Sequence, residues 1–185
     1  MINDETKRKL RELNMPEIIT GLEFLQSEPA TVSLSFDERM QRLTDYEYQE
    51  KYNGKIQRLI KSAKLRFPQA DIHSLYYDGR HLNRNLLSDL FSCQYIDHHQ
   101  SIILQGPTGS GKTFLSCAFE KQACFRQIKT RYIRFPDLLM EYGDASLVQG
   151  QQKKLLARYG KIPLLIIDAG LFLTFPMVNC TFSLS

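Results

Sequence analysis

The sequence contains no tryptophan, few cysteines and no long uninterrupted apolar segment. The four cysteines form no Cys-x-x-Cys pair, so we interpret them as reduced thiols of a cytoplasmic protein. The longest charge-free apolar stretch, residues 169–185, is interrupted by polar residues and Pro176. A membrane span needs about 20 mostly apolar residues, so we expect no membrane-spanning segment. The first eleven residues carry six charges, which is unlike a secretory signal.

What the sequence does contain is typical of a globular protein. Of the 185 residues, 43% are hydrophobic and 24% are charged, which excludes collagen-like and wholly disordered chains. This length accommodates one domain of about 100–150 residues with an appendage. The chain is too short for two domains of that size.

Residues 1–68 have the pattern of a small all-helical region. We expect short helices over residues 7–13 and 16–26, then a long helix over residues 35–65. Ser35 and Glu38 have the spacing of a capping box at its start. The helix should end before Pro68, because proline disfavours helical backbone in the preceding residue. Residues 69–100 are predicted to be a linker that contains a short helix over residues 84–91, capped by Asn83.

Charge is distributed unevenly along this region. Residues 1–50 hold six basic and eleven acidic side chains, whereas residues 51–66 contain no acid. On a helix, the basic residues lie beside an apolar face made of Tyr52, Ile56, Leu59, Ile60 and Ala63. This basic stripe is either a solvated helix face or a non-specific, salt-sensitive contact with double-stranded DNA. The candidate DNA contacts are Lys51, Lys55, Arg58, Lys61 and Lys64.

From residue 101 the pattern changes to short apolar runs that alternate with helices. Strands are predicted over residues 101–105, 130–135 and 164–168, and helices over residues 112–126 and 137–142. The order βαβαβ indicates an α/β fold with a parallel sheet. We interpret Tyr132 as a core or surface residue and not as a cofactor contact.

A complete P-loop pattern lies between the first strand and its helix. The glycines allow backbone N–H groups to turn toward phosphate oxygens, and the positive end of the helix dipole adds to this attraction. Lys112 is expected to reach the β- and γ-phosphates of ATP, and the Thr113 hydroxyl to bind Mg²⁺. The predicted nucleotide-binding residues are Gly106, Pro107, Thr108, Gly109, Ser110, Gly111, Lys112 and Thr113.

The strand over residues 164–168 fits a Walker B motif. Four apolar residues bury the strand and place Asp168 at its carboxyl end, where open α/β sheets bind ligands. Asp168 is therefore the second predicted Mg²⁺ partner after Thr113, through a bound water.

Residues 7–168 resemble the IstB-like AAA+ ATPases, which are encoded beside insertion-sequence transposases. The resemblance covers the helical segments KLRELNMPEIITGLEFL and SFDERMQRLTDYEYQEKYNGKIQRLIKSAKLRFPQA, then LNRNLLSDLFSCQYIDHHQSIILQGPTGSGKT and LLIID. It implies an AAA+-like P-loop NTPase core over residues 101–168, ATP-controlled assembly on DNA and delivery of a transposase. Intact members assemble as homo-oligomers. The sequence is also similar to bacterial helicase loaders of the DnaC type.

The sequence departs from the family after Asp168. Members resemble one another in having Asp-Glu there, and the Glu orients the attacking water, but position 169 is Ala and no catalytic residue is assigned. The charge-free tail, residues 169–185, suggests a truncated or frameshifted copy that has lost hydrolysis and in which oligomerisation is doubtful. Three functions stay open: a transposition helper, a helicase-loader-like module and an inert remnant.

The resemblance also implies the strand order 5-1-4-3-2, in which another strand separates the P-loop strand from the Walker B strand. Only the tail remains to supply it. We expect either a gap or an improvised pairing by residues 171–175 or 179–184, and hence a marginally stable C-terminal half.

Overall fold

A computed structural model describes residues 3–28, 31, 34–75 and 83–169, and the backbone of residues 181–183. The chain divides into two compact units, Met1–Gln57 and Arg58–Ser185. None of the helices in the described ranges is long and apolar enough to cross a membrane. The boundaries at residues 68, 100 and 168 stay predictions from the sequence.

The first unit is helical. It contains α1 (Asp4–Glu12), α2 (Glu17–Ser27) and the first part of α3 (Phe36–Ala63). Helix α1 begins three residues earlier than predicted, because the Asn3 side chain accepts a hydrogen bond from the N–H of Glu5 at 3.0 Å. Gly21 allows α2 to approach α3 closely, since a Cβ atom there would lie 2.9 Å from Leu43. Most of the described residues of this unit therefore lie in helices.

The predicted capping box opens α3. The Ser35 N–H donates to Glu38 Oε2 at 2.7 Å, and the Glu38 N–H donates to Ser35 Oγ at 3.3 Å. The helix ends at Ala63 and not at residue 65, because Lys64 adopts left-handed backbone with φ 59°. The apolar face is confirmed, since Ile56 and Ala63 are buried.

The second unit begins with the last residues of α3 and a 3-10 turn, Ile72–Ser74. Helix α4 (Arg84–Phe91) is capped as predicted, because Asn83 Oδ1 accepts a hydrogen bond from the Leu86 N–H at 3.2 Å. A short helix, α5 (Gln94–Asp97), was not predicted. Residues 76–82 of the predicted linker and the tail segment 171–175 lie outside the described residues.

The rest of the second unit alternates strands and helices. In chain order they are β1 (Ile103–Gln105), α6 (Lys112–Phe125), β2 (Thr130–Arg134), α7 (Phe135–Ser146), α8 (Gln151–Gly160), β3 (Leu164–Asp168) and β4 (Thr181–Ser183). Strand β1 is shorter than predicted. Helix α7 is longer than the predicted residues 137–142, because Pro136 stabilises its first turn. Helix α8 was missed.

The described strands form two parallel pairs. Strand β2 pairs with β3 from Thr130 opposite Leu164 to Arg134 opposite Asp168. Strand β1 pairs with β4, so the expected pairing within residues 179–184 is confirmed for β1. The P-loop strand and the Walker B strand are not hydrogen-bonded neighbours in either pair, as predicted. The structure is therefore helix-rich with small parallel sheets.

Helix α6 is held by apolar contacts on two sides. Leu115 and Phe119 pack against Leu87 and Phe91 of α4, and the Phe91 and Phe119 rings lie 4.9 Å apart. Cys117 and Ala118 form a second buried cluster with Ala70. Because α6 starts directly after the P-loop, this packing fixes the position of the loop.

Candidate nucleotide site

The P-loop follows β1 and leads into α6. Gly109 and Gly111 adopt left-handed backbone with φ 85° and 90°, a conformation that side chains with a Cβ rarely adopt. Turns of this kind create concave backbone surfaces that bind anions. The loop backbone at these two glycines therefore has a conformation suited to binding an anion.

The Lys112 ammonium group lies at the loop. Its Nζ donates to the carbonyl oxygens of Gly106 and Pro107, both at 2.7 Å. These bonds keep a positive charge beside the backbone that would surround a phosphate chain. A phosphate oxygen is a stronger, charged acceptor and can replace a neutral carbonyl.

Ser110 provides an independent indication of a polar ligand. Its Oγ atom is buried and has no hydrogen-bond partner among the described residues. Buried hydroxyl groups normally have a hydrogen-bond partner. The Ser110 hydroxyl is therefore suited to form a hydrogen bond with a polar ligand in the loop.

The two motifs meet at their ends. Thr113 Oγ1, in the first turn of α6, donates to Asp168 Oδ2, at the end of β3, over 3.1 Å. These residues are separated by 55 positions in the sequence, so only the fold brings them together. A hydroxyl and a carboxylate are the hard oxygen ligands that Mg²⁺ prefers. The residues present therefore fit a magnesium–nucleotide site.

Two further residues contact Asp168 and were not found from the sequence. The Tyr132 hydroxyl donates to Asp168 Oδ2 at 2.6 Å, and Arg66 Nη1 lies 3.7 Å from the same oxygen. Burial raises the pKa of the Tyr132 hydroxyl above its usual value, and its bond to Asp168 adds to this rise. Tyr132 is therefore more than the core or surface residue that we expected.

The register of the sheet contains the information that was missed. Tyr132 and Arg134 share one face of β2, since side chains alternate along a strand. Arg134 lies opposite Asp168 in the β2–β3 pair. Tyr132 is thus a diagonal neighbour of Asp168, within reach of a long side chain. The two strands had to be recognised as partners first, which the sequence alone did not show.

Ala169 directly follows Asp168 and offers only a methyl group at the position where the resemblance implies a glutamate. It is partly buried. A methyl group neither accepts a proton nor orients a water molecule.

The predicted DNA contacts lie on or after α3. Lys51 and Lys55 belong to the first unit, and Lys51 forms an ion pair with Glu47 at 3.1 Å. Arg58, Lys61 and Lys64 belong to the second unit. All five side chains are exposed, although Lys64 follows the end of the helix and does not continue its stripe.

Known proteins match most of the chain. The family model described as IstB-like ATP binding protein matches residues 8–179, which extends past Asp168 into the tail. An insertion-sequence ATP-binding protein of Pseudomonas fluorescens, from IS1162, is 34% identical, and the match covers 91% of this chain and 73% of that protein.

Two other relatives carry similar descriptions. An insertion-sequence ATP-binding protein of Sinorhizobium fredii, y4uH, is 27% identical over 91% of this chain and 67% of its own length. One from IS5376 of Geobacillus stearothermophilus is 28% identical over 84% of this chain and 62% of its own length. With the family model matching nearly the whole chain and the motif residues in place, the chain belongs to the family of IstB-like ATP-binding proteins.

Proposed function

We propose that this chain is an ATP-binding helper of DNA transposition that has lost hydrolysis. The observation that carries the nucleotide site is the 3.1 Å hydrogen bond between Thr113 and Asp168. It joins the start of the P-loop helix to the end of the Walker B strand. The insertion-sequence names of the relatives support the role in transposition.

Each residue of the site has a separate role in the proposal. The P-loop backbone from Gly106 to Gly111 surrounds the phosphates, and Lys112 exchanges its carbonyl partners for phosphate oxygens. Thr113 and Asp168 hold Mg²⁺, with Asp168 acting through water. The hydroxyl proton of Thr113 points at Asp168, which leaves its oxygen lone pairs for the metal. When bound, the metal neutralises charge on the phosphates.

The proposed loss of hydrolysis depends on Ala169. A general base typically contributes about 10²–10⁴-fold to a rate. The residue after Asp168 has no group that could take a proton from water.

The proposed partners follow from the basic stripe and from the family. The stripe would contact the phosphates of double-stranded DNA without reading sequence. A transposase and further copies of the chain are the protein partners that the resemblance implies. A helicase-loader role would need a replication partner, and the names of the relatives favour transposition instead.

A binding titration tests the nucleotide site. Wild type should bind a fluorescent ATP analogue in the presence of Mg²⁺, and Lys112→Ala should bind at least about tenfold more weakly, since a hydrogen bond to a charged group contributes roughly 1.5–3 kcal/mol. Lys129→Ala is the matched control, because Lys129 is an exposed lysine after the far end of α6. Equal affinity of wild type and Lys112→Ala would overturn the proposal.

The same preparations test hydrolysis. Phosphate release by wild type should not exceed release by Lys112→Ala, which carries the same contaminating ATPases. Wild-type turnover on the order of once per second above that background would contradict the proposed loss of hydrolysis.

A further inference from the structure

Tyr132 lies in β2, outside both the P-loop and the Walker B motif. Its side chain is 7% exposed, and its hydroxyl lies 2.6 Å from Asp168 Oδ2. The ring is buried and belongs to β2, which is paired to β3 along five residues. The hydroxyl therefore has little freedom to leave the carboxylate.

The same carboxylate oxygen accepts the hydrogen bond from Thr113. Donors from two different elements, β2 and α6, thus converge on Asp168 Oδ2. A carboxylate that rotated about its own side-chain bonds would lose both. Thr113 is itself a proposed Mg²⁺ ligand. The Tyr132 hydroxyl is not, so it can hold the Asp168 carboxylate without coordinating the metal.

Arg66 contacts the same oxygen but cannot fix it equally well. Its Nη1 lies at 3.7 Å, and its side chain is 52% exposed. An exposed ion pair at this distance is loose and is screened by salt. The geometry therefore singles out Tyr132.

We propose that Tyr132 is a positioning residue for the metal site: its hydroxyl holds the Asp168 carboxylate in the orientation that receives hydrated Mg²⁺. This inference rests on the proposed nucleotide function. Residues that orient metal ligands typically change metal affinity by about 10–100-fold when they are substituted. Tyr132→Phe keeps the ring and removes only the hydrogen bond.

The chain provides a matched control in a second buried tyrosine. Tyr159 is 6% exposed, and its hydroxyl donates to Glu141 Oε2 at 2.8 Å, which involves no residue of the nucleotide site. Tyr159→Phe therefore removes the same kind of bond, from a tyrosine to a carboxylate, at a position where no metal is proposed.

The experiment measures binding of a fluorescent ATP analogue, first in excess chelator and then over a series of Mg²⁺ concentrations. In Tyr132→Phe, we expect the affinity for the analogue without metal to stay within about twofold of wild type. The increase in affinity caused by Mg²⁺ should reach its half-maximum at an about tenfold higher Mg²⁺ concentration than in wild type. Tyr159→Phe should match wild type in both measurements. The metal-free affinity shows in the same sample that the P-loop is folded.

The possible results separate this inference from the proposed function. If wild type binds and responds to Mg²⁺ but Tyr132→Phe responds at the same concentrations, Tyr132 is not a positioning residue and the nucleotide site stands. An equal loss of metal-free and metal-dependent binding in Tyr132→Phe would make its role structural and overturn the inference. If wild type does not bind the analogue, the proposed function fails and the inference fails with it.

Discussion

At the scale of single residues, the second unit contains a buried acid that the nucleotide site does not use. Glu120 on α6 is fully buried, and its Oε1 accepts a hydrogen bond from Thr130 Oγ1 at 3.1 Å. Its Oε2 has no partner in the described part of the chain. Burial raises the pKa of the Glu120 carboxyl to about 8, against the lowering effect of the Thr130 bond. Glu120 is therefore protonated at neutral pH.

This raised pKa predicts a direction for the pH dependence of stability. The unfolded chain releases the Glu120 proton near the usual pKa of 4.5, whereas the folded protein keeps it up to about pH 8. Between these values the folded state binds more protons, so the free energy of unfolding falls as pH rises, by at most about 1.4 kcal/mol per pH unit. Glu120→Gln removes this contribution.

Urea unfolding at pH 5.5, 6.5 and 7.5 measures the effect. The difference in the free energy of unfolding, Glu120→Gln minus wild type, should increase with pH, because every other titrating group cancels in the difference. A difference that stays constant across this range would show that Glu120 titrates normally.

At the scale of elements, α3 carries four of the five residues proposed to contact DNA: Lys51, Lys55, Arg58 and Lys61. Replacing Lys55, Arg58 and Lys61 together by Gln should weaken binding to duplex DNA and flatten its salt dependence. Each lost phosphate contact removes about 0.9 from the slope of log affinity against log salt. Fluorescence anisotropy of a labelled duplex at several salt concentrations measures both quantities.

A second triple variant separates this contact from a general effect of charge. Lys153, Lys154 and Lys161 are exposed and lie on or directly after α8. Replacing them by Gln changes the net charge equally. An equal change in the salt slope of both variants would show that the basic stripe is only a solvated helix face.

The elements also show how far the sequence could be interpreted. Helix starts with a side-chain cap at a fixed spacing, such as Ser35 and Asn83, were predicted correctly because the capping contact is local. Helix α8 was missed because polar residues make up much of its sequence. Its buried side is identified only in the structure, where Tyr159 is buried. The end of α3 coincides with the left-handed backbone of Lys64, and lysine is not a residue type that predicts this conformation from the sequence.

The candidate site shows the same division. The P-loop and the end of β3 could be recognised because each lies within a short segment of sequence. The contact of Asp168 with Tyr132 could not, because it requires β2 and β3 to pair in one particular register. Long-range pairing is not encoded in any single segment.

At the scale of the whole molecule, the two units should respond differently to nucleotide. The proposed site lies entirely in the second unit, since Lys112, Thr113, Tyr132 and Asp168 all follow residue 58. A bound ligand raises the free-energy cost only of those openings of the structure that destroy its site. Openings within α1 and α2 leave these residues in place.

Hydrogen exchange measured by mass spectrometry can resolve this difference along the chain. With Mg²⁺ and nucleotide at 100 times the dissociation constant, openings that break the site cost about 2.7 kcal/mol more, so peptides from α6 and β3 should exchange up to about 100-fold more slowly. Peptides from α1 and α2 should keep their rates. Lys112→Ala at the same ligand concentration provides the control and should show much less slowing. Slowing of the same size in α1 and α2, or none in α6 and β3, would place the nucleotide outside the P-loop unit.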